Sequence, residues 1–394
     1  MQKILLTGGW GYRNIGDDAL LEATIHWIED TSENNIQIIT YDRANTQSSL
    51  GKSRQYCLVE SPHRIIFGED FRCHYLDKQP SFWDWRVFNR ISSKLKYEYI
   101  KNIIIRLSHK DFIPQFLNNH KELKDAFESC DILLLSGGGY LDSWIESLIG
   151  KYVEVLCAKH YEKKVIMRGT TFGPFSSSFN MKEIVERFVT ILDDVTVRDL
   201  ESKNDLIKYG YKKNIKITPD FALYKSYEHA KDSDTVSIIP FVNLFSKEEE
   251  LAKAMSAYCK STRAKIQIVL TQQWKQPYSN GILIQNCLAK EGIRATIQVP
   301  SNLKELQNLL RKSKLCISQN LHGLILSYRC GTPIISINDK RKFKNFMNRI
   351  GAESYILPLE TISAEALLQA MNTVPYRPYD VALKEEILCS NPLD

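Results

Sequence analysis

The sequence predicts an α/β protein of two similar halves, each a parallel sheet alternating with helices. Three observations carry that prediction. Short apolar runs recur through the 394 residues, and most lead through a turn into helical apolar spacing. Two of the runs, Lys3–Thr7 and Asp131–Leu135, end in glycine-rich turns. Near the other end of the chain, Leu315–Ile337 reads strand, loop, helix, turn, strand within one stretch.

That last stretch is the most informative. Leu315 to Ile317 is a strand end, and Ser318 to Asn320 a polar loop. Leu321 to Cys330 carries apolar residues at helical spacing, and Gly331 with Pro333 stops the helix. Ile334 to Ile337 is the next strand. His322 therefore falls in the first turn of a helix, just past the carboxyl end of a strand. In an open parallel sheet that edge is where ligands bind. Free amides there attract anions, and a histidine so placed can exchange protons with a phosphorylated substrate.

In the first half, Lys3–Thr7 leads into Gly8-Gly9-Trp10-Gly11-Tyr12-Arg13-Asn14-Ile15-Gly16-Asp17-Asp18, then a helix from about Asp17 to Asp30. Gly9 and Gly11 fit the first two positions of a dinucleotide-binding turn, but Asn14 stands where the third glycine belongs. Asp17 and Asp18 suit the helix dipole, which is the bland reading of both. Ile36–Tyr41 is a second strand. From Cys57 to about Phe127 the chain turns aromatic and basic, with Trp83, Trp85, Arg86, Phe88, Arg90, Lys94, Lys96, Tyr97, Tyr99, Lys101 and Arg106. It reads as inserted helices with a solvated basic face; the sharper alternative is an acceptor-binding or membrane-facing lid. After Asp131–Leu135 comes a second glycine loop, Ser136-Gly137-Gly138-Gly139. The strand Lys164–Met167 precedes a loop from Arg168 to Phe175, and Phe179–Leu192 is an amphipathic helix. Val195–Val197 ends in Arg198-Asp199, Ser202 opens a helix ending at Gly210, and Ile215–Thr218 is a further strand.

The polar run 225–234 reads as a linker. The expected organisation is a first domain over 1–224 with its insert at about 57–127, a second over 235–372, and a tail over 373–394. In the second domain Thr235–Pro240, Lys265–Thr271 and Ala295–Val299 are strands, and Leu303–Lys312, Phe346–Gly351 and Ser363–Met371 helical.

Composition narrows the classes. A net charge of +6 is too small for a nucleic-acid binder but suits anionic ligands or an anionic membrane surface. Nine cysteines with no CxxC pair suggest reduced thiols in a cytoplasmic protein. No run is long and apolar enough to span a bilayer, so membrane contact is expected to be peripheral, at the inner face. No histidine pair has metal-ligand spacing, and no metal or cofactor is called for. Oligomeric state is not legible.

Taken together, Gly9 to Asp18, Ser136 to Leu141, Gly173-Pro174-Phe175, Arg198-Asp199 with Ser202 and Gly210, Pro219 to Ala222, and Leu321-His322 with Gly331-Thr332-Pro333, Lys340 and Phe346 make an ordered set. In that order the chain resembles the polysaccharide pyruvyl transferase family. The resemblance implies an architecture like the B-type glycosyltransferases, two Rossmann-like domains facing across a cleft. It implies a transferase that moves a pyruvyl group from phosphoenolpyruvate to hydroxyls of a saccharide, or lipid-linked saccharide, in surface or exopolysaccharide biosynthesis. It makes His322 the catalytic residue. Arg198, Asn320, Leu321 and Lys340 become donor contacts, while Gly9, Gly11, Asn14, Gly16, Asp17, Gly138 and Gly139 become acceptor or cleft loops. The family pattern has Arg-Leu-His where this chain has Asn320-Leu321-His322. One cation is thus missing from a site for a dianion, and Arg168, Arg329 or Lys340 is the expected compensation, Arg168 foremost. A surface arginine paired with Asp199 or Asp220 is the bland reading of Arg198.

Two other readings compete. One is a nucleotide-sugar-dependent glycosyltransferase on the same architecture. It expects carboxylates beside the histidine loop, and no Asp or Glu occurs between Asn320 and Asn338. The other is a non-catalytic sugar- or nucleotide-binding homologue, which a fold alone does not exclude.

Overall fold

Gln2–Thr7 (β1) is the strand from which the first sheet grows. The computed structural model describes residues 2–31, 34–51, 55–67, 98–142, 144–175, 179–227, 233–241, 247–273, 275–391 and 393. To β1 are added Asn34–Thr40 (β2), Cys57–Glu60 (β3), Ile132–Leu141 (β4), Lys164–Phe172 (β5), Asp194–Val197 (β6) and Ile215–Ile217 (β7). They lie in the order β3-β2-β1-β4-β5-β6-β7, every neighbouring pair parallel. The central strands are apolar without alternation, Ile132-Leu-Leu-Leu135 among them, because helices cover both faces of such a sheet. The register sets Leu5 against Leu133, Leu133 against Val165, and Met167 against Val195. The intervening helices are Ile15–Thr31 (α1), Arg43–Leu50 (α2), Pro62–Phe67 (α3), 98–107 (α4), Phe112–Asn119 (α5), Lys121–Ser129 (α6), Ile145–His160 (α7), Phe179–Thr190 (α8) and Leu200–Lys208 (α9).

The second sheet repeats the plan. Thr235–Ile239 (β8), Lys265–Val269 (β9), Ala295–Gln298 (β10), Ser313–Ser318 (β11) and Ile334–Ser336 (β12) lie in the order β10-β9-β8-β11-β12, all parallel. Their helices are Glu248–Thr262 (α10), Lys275–Lys290 (α11), Leu303–Arg311 (α12), Leu321–Arg329 (α13), Arg341–Arg349 (α14) and Ala364–Thr373 (α15), followed by Ala382–Ser390 (α16). The core joins Val236, Ile238, Ile268, Leu270 and Ile317 with Leu251, Met255 and Leu367 of the covering helices.

The molecule is thus α/β, with two parallel-sheet, Rossmann-like lobes. The chain divides into a first unit of Met1–Tyr12, Leu20–Phe221 and Glu385–Asp394, and a second of Arg13–Ala19 and Ala222–Lys384. Two of these segments depart from the expected layout. Residues 13–19, in the glycine-rich turn after β1, belong to the second unit. The end of the chain belongs to the first, where Asn391 is buried and bonded to Thr196 Oγ1 (2.6 Å) and Thr218 Oγ1 (3.1 Å). The start of the expected linker is held in the second unit: Arg329 Nε donates to the Lys225 carbonyl, and Tyr227 N to the Arg329 carbonyl at 2.8 Å.

Several local expectations are corrected. The expected insert begins too early, since Cys57–Glu60 is the sheet's edge strand, paired with Gln37–Thr40. Trp83, Trp85, Arg86, Phe88, Arg90, Lys94, Lys96 and Tyr97 lie outside the described residues. Helix α4 buries Ile100, Ile103, Ile104 and Leu107 and exposes Lys101 and Arg106, a core stripe under a basic face. The glycines at 137–139 form no loop. They continue β4 to Leu141, and a Cβ on Gly137 would lie 2.9 Å from Leu20 Cδ2, so their smallness admits α1 against the strand. Helix α9 is capped by Asp199, whose carboxylate accepts from Ser202 N at 2.7 Å, rather than by Ser202.

In each sheet the strand order reverses once, between β1 and β4 and between β8 and β11. The carboxyl ends of those strand pairs are the switch points where open α/β sheets bind ligands.

Candidate functional site

The second switch point holds His322. β11 ends at Ser318, and its hydroxyl both donates to the Asn320 carbonyl (2.8 Å) and accepts from Asn320 N (2.9 Å). This fixes a tight turn into α13. Asn320 then caps the helix, its side chain accepting from Gly323 N at 3.1 Å. Gly323 has to be glycine, since a Cβ would meet Ser318 Oγ at 2.6 Å and Ile239 Cδ1 at 2.8 Å. Gln319 ties this turn to the end of β8, its side-chain oxygen accepting from Phe241 N at 3.1 Å. Asn320 is buried and occupied as a cap, and the Leu321 side chain is buried in the core. Either can offer a ligand little beyond its backbone. Half-buried His322 is the chemical group of this turn.

The 13–19 segment meets that turn. Asn14 bridges to Gln272, Ile15 N donates to the Thr271 carbonyl at 3.0 Å, and Gln273 N to the Arg13 carbonyl at 3.2 Å. These bonds staple the start of α1 to the chain just past β9. Arg13 takes a left-handed φ of 55° to make the entry. Asn14 accepts from Gly16 N (3.2 Å) and donates to Asp17 Oδ2 (2.7 Å). A Cβ on Gly16 would lie 2.2 Å from His322 Nδ1, so the imidazole rests on glycine backbone. Asp17 and buried Asp18 follow directly in the first turn of α1. Two acidic residues therefore begin the helix whose Gly16 meets the histidine turn. They come from the far end of the sequence, which is why residues 320–338 alone do not reveal them.

Next along the sheet edge, β12 leads into α14. Lys340 is exposed, with its N–H on Asn338 Oδ1 at 3.1 Å, and Arg341 and Lys342 follow. The first turn of α14 contains no acidic residue; Asp339, just before it, pairs with Lys344 at 3.2 Å. Cations at a helix N-terminus oppose the macrodipole, and the arrangement suits an anion. Among the described residues no group of three or more His, Cys, Asp or Glu converges as a metal site does.

The other expected residues lie in the first unit. Arg198, 7% exposed, donates from Nη1 to Asp220 and from Nε to Thr171, while a Cβ on Gly139 would stand 3.5 Å from its Nη2. Arg168 is fully buried and donates to Asp194 Oδ2 at 2.6 Å. Burial lowers its pKa, opposed by that carboxylate. It braces β5 against β6 and has no surface to give a donor. Gly11, at φ 93°, lets the loop turn against the ends of β2 and Asp42, where Trp10 Nε1 donates to the Ile39 carbonyl at 2.8 Å. Gly9 belongs to the same loop, and Gly138, at φ 97°, bends β4.

The family model described as Polysaccharide pyruvyl transferase matches residues 14–341. No curated protein sequence matches the chain. Among solved structures, the chain is similar to UDP-GlcNAc 2-epimerase from Methanocaldococcus jannaschii, with TM-score 0.58, 11% identity and 98% of each chain covered. It is also similar to UDP-GlcNAc 2-epimerase from Neisseria meningitidis bound to UDP-GlcNAc, with TM-score 0.55 and 12% identity over 99% of this chain and 100% of that one. A glycosyltransferase from Rickettsia africae gives TM-score 0.53 and 13% identity over 99% and 92%. At such identities the likeness shows the fold, that of sugar-processing epimerases and transferases. The expectation of pyruvyl transfer from phosphoenolpyruvate does not stand against these findings. The structures are named for nucleotide-sugar and glycosyl chemistry, and they favour the competing reading. The arginines expected to grip that donor are paired with Asp220 and Asp194.

Proposed function

This chain belongs to the polysaccharide pyruvyl transferase family, and from that premise and the site in its second unit we propose a nucleotide-sugar-dependent enzyme that transfers a glycosyl group to a saccharide. One observation carries the reading. Gly16 lies under the His322 ring, so α1 starts its acidic first turn, with Asp17 and Asp18, against the histidine's turn. Carboxylates accept hydrogen bonds from ribose or sugar hydroxyls, and they repel a donor that is itself a carboxylate. The basic start of α14, with Lys340, Arg341 and Lys342, supplies the complementary charge for a diphosphate. The solved structures sharing this fold add support, since two of them are named for UDP-GlcNAc 2-epimerase.

In the proposed step the acceptor hydroxyl gives its proton to the imidazole of His322 as its oxygen bonds to the anomeric carbon. The bond from that carbon to the diphosphate breaks, and the leaving diphosphate keeps the electron pair, its charge met by the α14 cations and helix amides. The test is release of nucleoside diphosphate from a panel of nucleotide sugars with and without saccharide acceptors. Acceptor-dependent release that drops by at least about a hundredfold in His322→Ala is expected, with a folded variant by circular dichroism. Epimerised nucleotide sugar with no acceptor dependence would replace transfer by isomerisation. Full turnover in the variant removes His322 from the chemistry.

A further inference from the structure

At the opposite ends of α13 and α14 from His322, the second unit contains a cavity of about 350 Å³. Tyr328, on its wall, is six residues along α13 from His322, ~9 Å at helical rise. Arg349, from the last turn of α14, faces Tyr376, Arg377 and Asp380, from the segment after α15, around the same space. Arg377 Nε is buried and, among the described residues, has no hydrogen-bond partner. A buried donor left unmet is costly, and an acceptor supplied by a ligand removes that cost. Tyr328 Oη accepts from Asp380 N at 3.1 Å, which leaves its own proton to be donated. Asp380 Oδ1 accepts from Ala382 N at 3.0 Å, so the carboxylate is fixed in place at the start of α16.

Arginines at helix C-termini ordinarily complement the dipole. The Asp380 carboxylate offsets one of the two guanidinium charges and the end of α14 about half a charge more, which leaves the cavity lining with a small net positive charge. Two guanidinium groups match a phosphate, with its planar pairs of oxygens. A carboxylate, a phenol and tyrosine rings match a polyhydroxylated ring, whose hydroxyls need acceptors and whose C–H face packs on aromatics. We propose that this cavity binds a phosphorylated sugar, with its phosphate on Arg349 and Arg377, its hydroxyls on Asp380 and its ring against Tyr376. The inference is independent of which donor the His322 site takes. Pro375 and Pro378 stiffen the same wall, and the chain runs from it through α16 into residues assigned to the first unit. A bound ligand therefore holds the returning segment.

The test is calorimetric titration of the full chain with ribose 5-phosphate, glucosamine 6-phosphate and inorganic phosphate. A sugar phosphate is expected to bind saturably and more tightly than inorganic phosphate. Arg377→Met is expected to weaken it by at least about tenfold, while a Lys340→Met/Arg341→Met double variant leaves it unchanged. A second measurement needs no variant: ligand should protect Arg377 from dicarbonyl modification mapped by mass spectrometry. No binding, unchanged affinity in Arg377→Met, loss in the double variant, or absence of protection would each overturn the proposal.

Discussion

Gly16 is the residue on which the candidate site turns. A Cβ there would occupy the place of the His322 ring, so Gly16→Ala pushes the imidazole away from the first turn of α1. The expected result is a fall in turnover of at least about tenfold with a stability loss of about 1–3 kcal/mol, read from steady-state kinetics and urea unfolding. Normal kinetics in that variant would mean that the contact is incidental. Arg198 makes a contrasting case. Its buried pair with Asp220 predicts that Arg198→Met or Asp220→Asn alone costs about 3–5 kcal/mol, whereas the pair replaced together by apolar residues regains much of it. A mild loss in stability with a severe loss in donor affinity for Arg198→Met would return that guanidinium to ligand binding. Sequence motifs point to both residues but do not separate their roles. A strand-end arginine looks the same in sequence whether it grips a substrate or a neighbouring carboxylate.

At the scale of elements, what the sequence makes legible is the alternation of strands and helices. Buried runs such as Asp131–Leu135 and Leu315–Ile317 announce themselves by composition. The misreadings have local causes. Gly137 to Gly139 look like a turn but are needed so that α1 can press on β4. The strand Cys57–Glu60 is a four-residue sheet edge, too short to show a period. Helix α16 is obscured by the prolines around it, though Leu383 and Ile387 are buried at helical spacing. Asp193 shows how the ends of elements are pinned. Its carboxylate takes hydrogen bonds from Lys159 at the end of α7 and from Val165 N in β5, the latter at 2.7 Å. Burial alone would raise its pKa, but these bonds outweigh it and hold the carboxyl below its ordinary range. A depressed folded-state pKa stabilises above the unfolded value of about 3.9 and loses that stabilisation as pH falls through the folded value. Asp193→Asn should therefore melt below the wild type at pH 7, with the gap closing as the pH drops below about 4. A gap of constant size across that range would assign the effect to packing.

At the scale of the molecule, the strand order 3-2-1-4-5 recurs in both units, extended by two strands in the first. Topology of this kind places the ends of four strands at two switch points, and the strand–loop–helix pattern around His322 is enough to put that residue at one of them. The residues around His322 are not legible in the same way, because Arg13–Ala19 precede it by about three hundred positions and join its unit through backbone bonds to Thr271 and Gln273. No local pattern reports such a contact. The proposed donor rests on the same long-range pairing, which sets Gly16 and the acidic first turn of α1 at the histidine turn. None of the described helices is long and apolar enough to cross a membrane. The most direct test is a parallel calorimetric titration of the intact chain with UDP, UDP-GlcNAc and phosphoenolpyruvate, repeated with Asp17→Asn/Asp18→Asn. Saturable binding of a nucleotide ligand, weakened in the double variant, with no heat from phosphoenolpyruvate, is the expected result. Saturable binding of phosphoenolpyruvate alone, unaffected by the two carboxylates, would contradict it.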